Sequence, residues 1–411
     1  MPPPRNPYGQ TTQQFPSSQS LDPEAASQFD NAEGLRRHLL SHFASPECVD
    51  VKLLLTENFN GAQQVFEGHS IVLGRSPTLL AALKRESTYS VDSSGVVNVQ
   101  LEGRYVRLEP LFAALRYIYG GPLLQLDQRR PDSSAGERMP SNSDRMENAL
   151  QYIATGRWLQ MPVLAGRGVE VAVNLLHWDT IPAALTFALD GGLSNVWNPD
   201  DGSEDAFSAA SSDDSLGRPD ISRTPTYDPF ATQLLHRILD FTVWMFPPNF
   251  YLDASAPQLE ECPRLPTVPL GHESRNSRSD PRLSQIRFGE IPIDRPSFAT
   301  TTISSMLLSM PFKLLKYVLE HGVFATRLGP ETASSIMRSI TNEREIRRVK
   351  AQKAYVAGQI SQNIDPLLAQ NLYWEELVEA SPVHKVGFRL ARRKRDIDTP
   401  SSSGAPSERN K

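Results

Sequence analysis

The chain has 411 residues, 39% of them hydrophobic, a formal net charge of −5 at pH 7, and only two cysteines. That is enough apolar material for two ordinary domains and too small a charge for a protein that binds nucleic acid over its whole surface. Cys48 and Cys262 cannot build a disulfide framework or a Cys-rich zinc site, so a cytosolic or nuclear compartment is expected. The charge is uneven: residues 385–411 carry +5, which leaves −10 for the rest.

Residues 1–30 are rich in Pro, Gln and Ser, with no apolar signal core behind the initial Met, and are expected as a disordered tail. Ala32–Leu40 has apolar residues at helical spacing. Val49–Leu55 is a compact β-type run, Phe59-Asn60-Gly61-Ala62 is a turn signal, and Val65-Phe66-Glu67 is a second strand, which together predict a hairpin. Ile71–Leu83 reads as helix, with Ser76-Pro77 near a local start. Val96–Leu101 alternates apolar and polar residues as a half-buried strand does. Leu108–Tyr119 is an apolar helix that Gly120-Gly121-Pro122 must stop.

Residues 126–145 are polar and predicted as an inserted loop. Met146–Leu164, Val169–Leu176 and Ile181–Leu189 are predicted helices. Linkers are expected at 191–226 and 254–297, with a helix at Ala231–Phe246 between them. The final helices are placed at Thr302–His321, Pro330–Gln359 and Asp365–Glu379. Met306–Phe324, the longest apolar stretch, carries Lys313, Lys316 and Glu320, so it predicts an amphipathic helix and not a membrane span. Trp158, Trp178 and Trp244 lie in apolar helices and are expected in the core. Residues 386–411 are predicted as a basic disordered tail.

The chain carries no P-loop, dinucleotide fingerprint or nucleophile elbow. Of its His residues only His38 and His42 are spaced i, i+4, and two histidines alone do not complete a metal site. No catalytic residue, cofactor or metal is therefore expected.

Several local sequences, in order, resemble a BTB/POZ domain. Cys48-Val49-Asp50-Val51-Lys52-Leu53 is similar to that family's first strand, and Phe66 to Ser76, with His69 and Ser76, to its second strand and following helix. Leu115-Arg116-Tyr117-Ile118-Tyr119-Gly120-Gly121 is similar to its apolar-x-Tyr-Ile-Tyr-x-Gly helix end, and Tyr152–Leu164, with Trp158-Leu159-Gln160-Met161-Pro162, to the helix after it. Residues after 165 resemble, more loosely, the helical extension called BACK, and Met310–Glu320 reads like a helix start of fungal BTB proteins.

The resemblance implies an α+β fold: a small sheet flanked by helices over 33–178, then an all-α extension over 179–385. Asp50, His69, Ser76, Tyr117 and Tyr119 would be its structural motif residues, with Asp50 and His69 satisfying each other or the backbone. It implies protein partners, a cullin-type ubiquitin ligase among them, and a BTB homodimer. The cullin contact would fall at Leu83 and Glu86, although Lys84 stands where the family has an apolar residue. Where the better-studied dimers carry a basic residue after the His, this chain has Ser70.

Arg389, Arg392, Arg393, Lys394 and Arg395 form a candidate nuclear import signal, read as an accessible extended peptide, against the alternative of a solvated helix end or a contribution to general solubility. Two functional readings stay open: a cullin adaptor, or a nuclear or cytoplasmic scaffold linked to transcription with no ligase role. Neither involves a membrane or direct nucleic-acid contact.

Overall fold

The structure is a computed structural model that describes residues 23–43, 45, 47–89, 96–125, 140–193, 224–268, 296–361, 364–382, 384 and 387–395, with side chains from Ala32 in the first helix and as far as Arg85 in the third. The fold is α+β, with small sheets among helices. By contact the chain divides into two compact units, residues 1–101 with 111–123, and residues 102–110 with 124–411.

The first unit holds α1 (Pro23–Ser41), β1 (Val51–Glu57), β2 (Gln63–Gly68), α2 (Ser70–Leu73), α3 (Pro77–Tyr89), β3 (Val96–Leu101) and most of α4 (Leu108–Ile118). Its sheet has the order β2-β1-β3. β1 and β2 form the expected antiparallel hairpin, with Leu53 opposite Phe66, while β3 runs parallel to β1, with Leu53 beside Val97. Side chains alternate across a strand, so Val51, Leu53 and Leu55 share a buried face with Val97, Val99 and Leu101. Phe66 joins them and meets Phe112 of α4, ring centroids 5.7 Å apart. Leu73, Leu115 and Tyr119 are fully buried, as the periodicity predicts. α4 stops where expected: Gly120 takes φ +89, a conformation that suits glycine after a helix end.

The second unit is mostly helical: α5 (Asn142–Trp158), α6 (Pro162–Asn174), α7 (Ile181–Ala188), α8 (Phe230–Trp244), α9 (Phe298–Ser309), α10 (Phe312–Glu320), α11 (Gly322–Leu328), α12 (Pro330–Val356) and α13 (Pro366–Asn371). The pair α5 and α6, placed with the first domain on sequence grounds, belongs to this unit by contact. The backbones of α5 and α6 come close at Gly156, where an added Cβ would lie 2.4 Å from the Ala165 nitrogen.

Several expectations need correction. α1 begins at Pro23, inside the predicted tail. The loop predicted to run to 145 ends earlier, because Ser141 and Asp144 form a reciprocal capping box that starts α5. Residues 254–268 are packed, not a loose linker: Leu265 is buried against Ala351 and Leu372. The helix predicted over Asp365–Glu379 is short and gives way to β4 (Trp374–Ala380), which pairs antiparallel with β5 (Phe388–Lys394). β5 lies in the predicted basic tail. Trp244 is 58% exposed and is not a core residue. Residues 1–22, 126–139, 194–223, 269–295 and 396–411, on which the remaining disorder expectations fall, lie outside the described residues.

Candidate interaction site

In the first unit Asp50, His69 and Tyr119 are gathered where β1, β2 and α2 meet, while Ser76 and Tyr117 lie apart from them. Asp50 precedes β1, and its amide donates to the Gly68 carbonyl at 3.3 Å. Its carboxylate accepts from the Ser70 amide at 2.7 Å and from the Ser70 hydroxyl at 2.6 Å, at the start of α2. Burial works against its charge, but the bonds from Ser70 win and hold its carboxyl below the usual carboxylate range. Ser70 therefore partners Asp50 directly.

His69 does not bond to Asp50. Its amide donates to the Tyr119 hydroxyl at 2.8 Å, its Nδ1 lies 3.1 Å from the same oxygen, and its Nε2 lies 3.3 Å from the Glu47 carbonyl. One hydrogen-bond assignment satisfies every partner: Tyr119 O–H donates to Nδ1 and Nε2–H donates to the Glu47 carbonyl. Burial raises the Tyr119 phenol above its ordinary value, which keeps that proton in place. These bonds fasten β2 to the end of α4. Asp50 and His69 thus do not satisfy each other; of the two expected alternatives the backbone serves them, through the Ser70 amide and the Glu47 carbonyl.

Ser76 is fully buried, and its hydroxyl accepts from the Leu79 amide at 3.4 Å at the start of α3. Tyr117 is half-buried. Leu83 is half-buried on α3 beside the exposed Lys84 and Arg85, while the Glu86 side chain lies outside the described residues.

Sequence reasoning did not find the apolar corner formed by α2 and α3. Ile71 is 86% exposed and Leu80 37%. A Cβ built on Gly74 would lie 3.5 Å from Leu80 Cδ1, so the Leu80 side chain reaches the end of α2 beside this glycine. Leu80 and Leu83 are one turn apart on the same helix face. Large exposed apolar side chains grouped this way signal a contact surface. The signal in the sequence was the apolar spacing itself, which cannot say which apolar residues stay uncovered.

The second unit contains a buried ionic cluster that sequence reasoning missed. Arg344 on α12 donates to Glu376 on β4 from Nε at 2.6 Å and from Nη2 at 3.0 Å. Its Nη1 donates to the carbonyls of Leu307, Leu308 and Met310, so it also closes the end of α9. Arg392 of β5 donates to Glu376 at 3.0 Å and stacks 4.3 Å over the Phe312 ring. Arg264 approaches the same carboxylate to 3.3 Å. Burial opposes the charge on Glu376, but Arg344 and Arg264 overcome it and hold the carboxyl well below its usual range. Arg348 pairs with Glu345 at 2.7 Å and donates to the Leu372 carbonyl.

The pairing of β5 with β4, together with these and further ion pairs, corrects the reading of Arg389, Arg392, Arg393, Lys394 and Arg395 as a free peptide. Arg389 and Arg393 both bond to Glu379, and Arg395 grips Glu375 at 2.6 and 2.9 Å.

A cavity of about 470 Å³ lies along α12, lined by Phe250, Tyr251, Leu252 and Ile336 among others. Its one carboxylate, Glu343, is bonded to Arg347. Among the described residues, no group of three or more His, Cys, Asp or Glu is arranged to hold a metal, and no helix is long and apolar enough to cross a membrane. Cys262 is half-buried, and its desolvation pushes the thiol up to about 11 and makes it a poor nucleophile. No protein-family model matches the chain, and no curated protein matches it.

Proposed function

We propose that this chain is a non-enzymatic protein-interaction module of the BTB/POZ type with a BACK-like helical extension, acting in the nucleus or cytoplasm as an adaptor for a cullin-type ubiquitin ligase. The observation that carries the reading is the exposed Ile71–Leu80 corner with Leu83 beside it, on the α2–α3 pair between β2 and β3. The family resemblance puts its partner contact on the same stretch, at Leu83 and Glu86. The sheet order β2-β1-β3 and the ties of Asp50 to Ser70 and of His69 to Tyr119 support the same reading, since they hold α2 and its exposed Ile71 in a defined position. Buried surface does the work in such a module, and a stable interface needs roughly 1,000 Å² of well-packed contact. The resemblance also implies a homodimer, which sedimentation of the purified chain measures directly.

The test is titration of the full chain against the N-terminal region of a cullin. Wild-type binding at micromolar concentration is expected, weakened by about 1–3 kcal/mol in Leu83→Asp and in Glu86→Lys. Absence of wild-type binding rejects the adaptor role and leaves the scaffold reading. Equal binding by all three proteins places the contact elsewhere.

A further inference from the structure

Residues 389–395 read Arg-Leu-Ala-Arg-Arg-Lys-Arg. A receptor groove that recognises such a run needs free cationic heads and an open, extended backbone. In β5 the backbone is committed to β4 from Trp374↔Lys394 to Ala380↔Phe388. The Leu390 amide also donates to Glu320 at 2.5 Å. The cations are committed as well: Arg389 and Arg393 to Glu379, Arg392 to Glu376, and Arg395 to Glu375. Lys394 is the exception among the described residues.

The two faces of the hairpin are held differently. The inward face joins Glu376 and Arg392 to the buried cluster, and Leu390 beside them is 1% exposed. The outward face is held by solvent-exposed pairs, with the Arg393 side chain 66% exposed and that of Arg395 63%. Such pairs are weakly held and screened by salt. A two-stranded sheet has little stability of its own, so the end of β5 at Arg393–Arg395 is the place where the hairpin opens first.

We infer that the β4–β5 hairpin is an autoinhibitory clasp over a basic recognition peptide. Closed, it withholds Arg389, Arg392, Arg393, Lys394 and Arg395; opened from β4, it presents them to a protein receptor with an acidic peptide groove, of the kind that carries cargo into the nucleus. A tenfold weakening of apparent affinity requires only that about nine molecules in ten be closed. Glu375 and Glu379 are the outer catches, and Glu376, held by Arg344 and Arg264, keeps β4 on α12 when Arg392 leaves with β5.

The experiment is a competition assay with a purified armadillo-repeat import receptor and a labelled peptide of residues 388–395. The peptide binds; the full wild-type chain competes at least tenfold more weakly; and the full chain with Glu375→Gln and Glu379→Gln competes within about threefold of the peptide. A second variant tests the clasp from the opposite side. Leu377 and Ala391 are direct partners across the hairpin, so Leu377→Cys with Ala391→Cys, in a Cys48→Ser background, locks it when oxidised. Competition then vanishes on oxidation and returns on reduction. The inference is overturned if the free peptide does not bind, if the wild-type chain competes as well as the peptide, or if oxidised and reduced forms compete equally. It is also overturned if the double Gln variant, with an unchanged circular dichroism spectrum, competes no better than wild type.

Discussion

Arg344 and Glu376, 32 residues apart, meet through two parallel hydrogen bonds of 2.6 and 3.0 Å, and both side chains are almost wholly buried. This pair attaches β4 to α12, and the guanidinium's remaining nitrogen closes the end of α9. Three elements distant in sequence thus depend on one fork-shaped cation, a geometry that the ammonium of lysine cannot reproduce.

Arg344→Ala leaves Glu376 as a buried carboxylate short of its main partner, and breaking a buried pair from one side costs about 3–5 kcal/mol. Urea unfolding followed by tryptophan fluorescence reads this in the second unit, which contains Trp374. Arg395→Ala removes an exposed pair and is expected to cost less than about 1 kcal/mol. Similar losses for the two variants would contradict the buried anchor.

The pH dependence has a defined sign. Glu376 has a folded-state pKa below its unfolded value. Its contribution is therefore fully present above the unfolded carboxylate value of about 4.3 and is lost as pH falls through the folded value. The wild type is expected to lose stability from pH 5 to pH 2 more steeply than Glu376→Gln, with the gap between the two closing at the acid end. Parallel curves would show that the depressed pKa does not contribute.

Tyr119→Phe removes the oxygen that serves both the His69 amide and the His69 ring. Unsatisfied buried polar groups cost about 1–3 kcal/mol. Hydrogen exchange read by mass spectrometry should rise at residues 66–73 and leave α12 unchanged.

Gly68→Ala places a methyl 2.7 Å from Phe66 Cε1 and 3.0 Å from the Tyr119 hydroxyl. Overpacking of this kind costs about 1–3 kcal/mol. The expected result is faster exchange across the β1–β2 hairpin, with the double variant Gly68→Ala/Tyr119→Phe less destabilised than the sum of the two changes, because the sites touch.

The hairpin and the α4 end were legible because their signals are local. Alternation in Val51, Leu53 and Leu55 specifies which face is buried, and Gly120 can take the positive φ that ends the helix. Trp374–Ala380 misled for the opposite reason. Its Glu, Leu and Ala residues favour helix intrinsically, yet it forms a strand, because pairing with β5 and placing Glu376 among Arg344, Arg264 and Arg392 outweigh a preference of a few tenths of a kcal/mol per residue.

By itself, the sequence determined which residues can be core, where turns and helix ends fall, and where the basic residues are concentrated, because periodicity and glycine chemistry act over a few residues. Only the tertiary structure decided that Asp50 serves Ser70 and His69 serves Tyr119, that Ile71 and Leu80 stay uncovered, and that the arginines of β5 are held by Glu375, Glu376 and Glu379. Each of these depends on contacts between distant segments, and a charged side chain's role follows from the partner that the fold brings to it.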